Sequence, residues 1–150
     1  MISARSLLIA LGATSVWEFG WWARRLMRRG EVYAIAQKRA QTLQKPLIVI
    51  GAPDGGVTAG YGCGDATVDI ASSACPHSIR ADITKPLPFA DDSGVVFVSC
   101  TLEYVADANA ALREIMRISG GEAYFVGVEP WTLTAYLYPG AKRTLLSQYR

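Results

Sequence analysis

Apolar and polar positions change period several times along these 150 residues. From Ser6 to Ala23 there is no period at all: the stretch is apolar or small on every side, and Glu18 is its one charge. As a helix those 18 residues would extend about 27 Å, close to the roughly 30 Å of a bilayer's hydrocarbon core. The pattern predicts an N-terminal membrane-anchor helix, either crossing the bilayer or lying at its interface. From Leu26 to Lys45 the pattern becomes amphipathic. Leu26, Tyr33, Ala36, Ala40 and Leu43 recur at helical spacing, with Lys38, Arg39, Gln41 and Gln44 on the other side. Gly30 is a weak point where the anchor is expected to bend into this second helix, and Pro46 ends it.

Beyond Pro46 short β-rich runs alternate with turns. Leu47 to Ile50 empties into the glycine loop Gly51-Ala-Pro-Asp-Gly-Gly56, and Ala66 to Ile70 and Ile79 to Ile83 are further strand candidates. Val95 to Cys100 is an apolar run of the kind buried on both faces of a parallel sheet. Asp107 is placed to cap a helix whose stripe is Ala108, Ala111, Leu112, Ile115 and Met116, stopped by Gly120-Gly121. Glu122 to Val128 reads as a fifth strand. Strand, helix, strand from 95 to 128 is a βαβ unit with parallel strands. The expected class is α/β, a reduced parallel sheet of about five strands. Its layout is an anchor over residues 1–29, an amphipathic linker helix over 30–45 and an α/β domain over 46–150. Past Trp131 the pattern fits a hairpin or a short helix equally.

Charge adds an orientation. Arg24, Arg25, Arg28 and Arg29 follow the apolar stretch, whereas Arg5 and the chain amine alone precede it, which places the α/β domain on the cytoplasmic side of a membrane. A secretory signal carries its charge ahead of the apolar run and a small-residue cleavage site after it, and neither is present. Trp17, Trp21 and Trp22 sit at the arginine end, at headgroup level. A formal net charge of +2 is too small to mark a nucleic-acid surface, so no nucleic-acid partner is expected. Cys63, Cys75 and Cys100 are odd in number and favour a reducing compartment. With His77 the only histidine, no paired zinc-ligand motif and no Ser-His-Asp elbow is present, and no Gly-rich phosphate loop occurs either.

Three segments carry a resemblance: Ala81-Asp-Ile-Thr-Lys-Pro-Leu-Pro-Phe-Ala-Asp-Asp-Ser93, Val95-Val-Phe-Val-Ser-Cys-Thr-Leu-Glu-Tyr-Val105, and Ala110 through Gly121. Together they resemble the class I S-adenosylmethionine-dependent methyltransferases, whose fold is a Rossmann-like sheet. The resemblance implies cofactor contacts at Gly51, Asp54 and Gly55 in the turn after the first strand. It implies Asp69 on the ribose hydroxyls, Asp82 near the adenine amino group with Ile83 against the ring, and Ser99 in the cleft. Glu103 or Tyr104 would position an acceptor. Two departures stand beside it. Val49 holds the family's acidic place before the first glycine, and the eight residues between Gly56 and Asp65 are too few for the usual first helix. Gly60-Tyr-Gly-Cys-Gly64 has a cofactor-loop spacing but precedes a strand candidate instead of following one. The expected function is therefore a membrane-tethered methyltransferase-like protein. The alternative is a catalytically inactive member of that fold, an accessory subunit with protein partners in a membrane complex. A binding module for another nucleotide is a third.

Overall fold

In the computed structural model of the protein, the described residues are 3–53, 60–128 and 132. Helix α1 spans Ala4–Leu43, strand β1 Leu47–Ile50, β2 Ala66–Asp69, β3 Ser78–Arg80, β4 Val95–Ser99, helix α2 Ala108–Ser119 and β5 Ala123–Val126. The five strands form one sheet in the order β3-β2-β1-β4-β5, and each neighbouring pair is parallel. The expected Rossmann-like α/β sheet is thus present. Every residue of β1 and β4 is buried, as apolar runs without alternation require when both sheet faces are covered.

The two faces are covered differently. Ile48, Ile50, Val68, Val96 and Val98 point to one side, where Ala111, Ile115 and Ile118 of α2 close the core. Leu47, Val49, Val95, Phe97 and Val126 point to the other, where Ala36 and Ala40 of α1 pack on them. Helix α2 begins where its sequence says: the Asp107 side chain accepts from the Ala110 amide, and Gly120 ends it in a left-handed conformation.

Helix α1 differs from expectation in two ways. It is a single 40-residue helix, unbroken at Gly30. The missing side chain there serves close packing instead, because a Cβ would lie 3.1 Å from the carbonyl oxygen of Gly60. And α1 is not a membrane span: among the described residues no helix is long and apolar enough to cross a membrane. Ser6, Thr14, Ser15, Glu18, two glycines and three indoles dilute the leucines of that stretch. Arg25 is the first buried residue of the helix, and the sheet-packed half follows it. The hairpin or helix expected past Trp131 lies outside the described residues.

The loop from Leu87 to Ser93 is a clamp on α2. Arg117 donates to the carbonyls of Phe89 and Leu87 and to the carboxylates of Asp91 and Glu114. Glu114 in turn accepts the Leu87 amide at 2.7 Å. The Asp92 and Ser93 amides bond to the carbonyls of Arg117 and Ile118.

Candidate functional site

Open parallel sheets bind ligands beyond the carboxyl ends of their strands, and four of the expected residues gather there. Gly51 follows β1 directly, and its amide donates to Val68 O at 3.0 Å. Asp69 ends β2; its Oδ2 accepts the Ala52 amide at 2.8 Å and its Oδ1 the Ala71 amide at 2.9 Å. The Asp69 carbonyl accepts the Ala81 amide at 2.9 Å, which brings Asp82 to the same edge. The Asp82 carboxylate accepts both the amide and the hydroxyl of Thr84, and these bonds hold it below the usual carboxylate range. Ser99 ends β4. Its carbonyl oxygen and Thr101 crowd Gly51, where a Cβ would approach to 2.9 and 2.5 Å, and φ is +91°. Glycine is required there by space and by backbone alike. Ile83 is buried in the core on the α2 side. Asp54 and Gly55 lie outside the described residues.

A side chain that sequence reasoning did not single out reaches the same turn. Tyr61 donates its hydroxyl to Gly51 O at 3.0 Å and stands within 3.3 Å of Ala52 O. Its ring packs edge-on against Phe97 at 5.1 Å and near Tyr33 at 6.2 Å, and burial raises its pKa. Residues 60–65 run back along the α1 side of the sheet. They start at Gly51 and end where the Asp65 amide and carboxylate bond the carbonyl and amide of Leu47. Gly60 and Gly64 lie against Leu26 O and Leu47 O with no room for a Cβ, and Gly62 lies closely against the Tyr33 hydroxyl. The signal was in the sequence: glycines at every second position face one way in an extended segment, which fits a close-packed return and not a phosphate loop.

Two of the three cysteines pair, against the expectation of a reducing compartment. Cys63 and Cys75 form a disulfide that ties the return segment to the turn before β3. Tyr33 adds a hydrogen bond to Cys63 O at 2.8 Å. Cys100 stays free. It takes a hydrogen bond from Arg29 at 2.9 Å, and burial pushes its thiol up despite that cation.

Of the two acceptor-positioning candidates, Glu103 is 4% exposed and Tyr104 43%. Glu103 accepts the Val128 amide at 2.6 Å, so it ties the ends of β4 and β5 together. Burial raises its pKa, partly offset by that amide and by Arg25 and Arg29. The hollow beside it, lined by Leu102, Glu103, Phe125 and Gly127 among others, leaves essentially no room even for a water-sized molecule. A ligand pocket needs about 300–1,000 Å³, so this hollow is too small for a nucleoside. The candidate site is the Gly51, Asp69, Asp82 and Ser99 edge.

Residues 58–126 match the family model of a methyltransferase domain. No curated protein and no solved structure matches the chain. The matched stretch holds β2 through β5, the Leu87–Ser93 clamp and α2. Over residues 58–126, somewhat under half of its length, the chain is similar to a methyltransferase domain.

Proposed function

We propose that this protein is a membrane-tethered methyltransferase-like domain that holds S-adenosylmethionine at the carboxyl edge of its sheet. The observation that carries the reading is the convergence of Gly51, Asp69 and Asp82 on one edge. The residues present fit the nucleoside half of the cofactor. Asp69 uses one lone pair on each carboxylate oxygen for a backbone amide. A carboxylate has about four acceptor sites, so two remain for a ribose diol. Bare backbone at Gly51 lets a ligand approach closely. The cofactor supplies a methyl group already activated on a sulfonium sulfur. The chain's own task is to bind, to orient an acceptor and to exclude water. Tyr104, exposed at the rim, is the residue suited to position that acceptor.

Isothermal titration of the full chain with S-adenosylmethionine tests this. Saturable binding is expected, and Asp69→Asn should weaken it by about 10- to 150-fold, the worth of a hydrogen bond to a charged group. A thermal melt of the variant separates lost binding from lost folding, because Asp69 also holds two amides. No saturable heat with millimolar ligand ends the reading.

One observation favours a second reading, a non-catalytic accessory subunit with a protein partner. Tyr61 bonds the carbonyls of the turn that a cofactor would approach. This reading predicts no cofactor binding and stable co-purification with another chain.

A further inference from the structure

The half of α1 that leaves the sheet exposes large apolar side chains around its circumference, with Glu18 the one charge between Ser6 and Ala23. Leu8, Ile9, Val16 and Phe19 are 64–75% exposed, and Leu7, Leu11, Trp17 and Trp22 are exposed beside them. At 100° per residue these positions point in every direction around the helix, the mark of an element made to be surrounded by apolar material. Its hydroxyls are already satisfied without water: Thr14 donates to Ala10 O and Ser15 to Leu11 O, both at 2.9 Å. The charge that follows is split by the helix turn. Arg25 is buried and Arg29 reaches Cys100, while Arg24 and Arg28 stay exposed, Arg24 lying over the Trp21 ring. Two outward arginines and an indole pair at the end of an apolar rod match the chemistry of an anionic headgroup layer.

The direction of the rod decides what faces that layer. Arg29 meets Cys100, just past the carboxyl end of β4. Arg39 forms a two-pronged ion pair with Glu122, just ahead of β5. The ten residues between them rise about 15 Å, the length of β4 at about 3.3 Å per residue. Helix α1 therefore runs antiparallel to the strands, and its apolar half projects past the carboxyl edge, the edge that carries Gly51, Asp69, Asp82 and Ser99. Trp22 lies seven residues, about 10 Å, beyond Arg29.

We propose that residues 7–22 embed in an anionic phospholipid bilayer without crossing it, and that the rigid helix thereby turns the candidate site toward the lipid surface. This rests on the tethering part of the proposed function, not on cofactor binding.

The test is flotation of the full chain with vesicles of phosphatidylcholine alone or mixed with phosphatidylglycerol. Binding to the mixed vesicles is expected, at least tenfold weaker to the neutral ones and to mixed vesicles after Arg24→Gln with Arg28→Gln. Leu8→Asp with Val16→Asp should abolish it; all four positions are exposed, so folding is spared. Equal binding to both vesicle types, or none to either, overturns the proposal, as does self-association that consumes the apolar half in the absence of vesicles. Orientation has its own readout in a Cys100→Ser background. A fluorophore at Tyr104→Cys should transfer energy to a lipid-borne acceptor more strongly than one at Gln41→Cys, near the opposite end of the sheet-packed helix. Equal transfer refutes the orientation and leaves tethering intact. A failed cofactor titration leaves both untouched.

Discussion

Tyr61 is the side chain whose removal says most about how this domain is built. Its hydroxyl proton is shared between Gly51 O at 3.0 Å and Ala52 O at 3.3 Å, so Tyr61→Phe removes about one hydrogen bond, worth about 0.5–1.5 kcal/mol. For a chain of this length each kcal/mol moves the melting temperature by about 2–4 °C, which predicts a loss of roughly 1–6 °C. Tyr61→Ala also removes a ring that packs on Phe97 and Tyr33. Truncating a fully buried aromatic costs about 3–5 kcal/mol. This ring is only half-buried, so about 3 kcal/mol and a loss of roughly 6–12 °C are expected. Circular dichroism melts of the three proteins read both steps. The pH dependence has a definite sign. Burial raises the Tyr61 pKa above 10.0, so between the unfolded and folded values the native state binds more protons. Stability is complete below the unfolded value and falls as pH rises through the folded one; Tyr61→Phe should remove the Tyr61 share of that fall and leave the share of Tyr33, Tyr124 and Cys100, whose pKa values burial also raises. If Phe and Ala lower the melting temperature equally, the ring is not a packing element and the reasoning fails.

Gly51→Ala should cost about 1–2 kcal/mol for the left-handed backbone plus about 1–3 kcal/mol for overlap with Ser99 and Thr101; a urea midpoint within error of the parent protein contradicts the geometry. Glu103→Gln keeps an acceptor for the Val128 amide and removes a buried charge. Because burial raises the Glu103 pKa, stability of the parent falls as pH rises from 4.5 through the folded value. The variant's urea midpoints should stay flat across that window, and a parallel decline in both proteins refutes the assignment. Reducing the Cys63–Cys75 disulfide opens a loop of sequence separation 12, which a chain-entropy account values at about 3 kcal/mol. Melting with and without dithiothreitol should differ by roughly 6–12 °C, and identical melts refute the pairing.

Much of this fold was legible because its signals are local. The apolar runs at Leu47–Ile50 and Val95–Ser99, the Asp107 cap and the Gly120 stop each specify an element with no reference to distant chain. The Leu87–Ser93 loop was legible as a family motif, and the structure gives it an architectural cause: Arg117 gathers its carbonyls and carboxylates onto α2. What escaped depends on pairs far apart in sequence. Tyr61 meets Phe97, Gly30 admits Gly60, and Cys63 finds Cys75 across β2, and no periodicity encodes such meetings. The continuity of α1 escaped because propensity at one glycine is worth about 1 kcal/mol, less than the packing that holds the helix straight over Gly60. The strand ends were read one to three residues too long, since β-branched residues at Ile70 and Ile83 extend the pattern past the last paired residue.

A parallel sheet tolerates no bare face, and on the α1 side this one has a single described helix where a chain of βαβ units would place more. Helix α1 covers β1, β4 and β5. Alternation turns the fully buried Thr67 of β2 to that side, where the return segment 60–65 and its disulfide take over the covering. Tyr61 therefore has two roles in one side chain: it shields Phe97, and it bonds the turn a cofactor would approach. A cofactor that displaced it would have to expose that packing, at about 3 kcal/mol by the truncation value above, which weakens its apparent affinity by about 100-fold. Tyr61→Ala should then tighten S-adenosylmethionine binding by about that factor even while it lowers the melting temperature. Unchanged affinity in the variant would mean that tyrosine and cofactor occupy different space, and the case for a site closed by its own covering would fall.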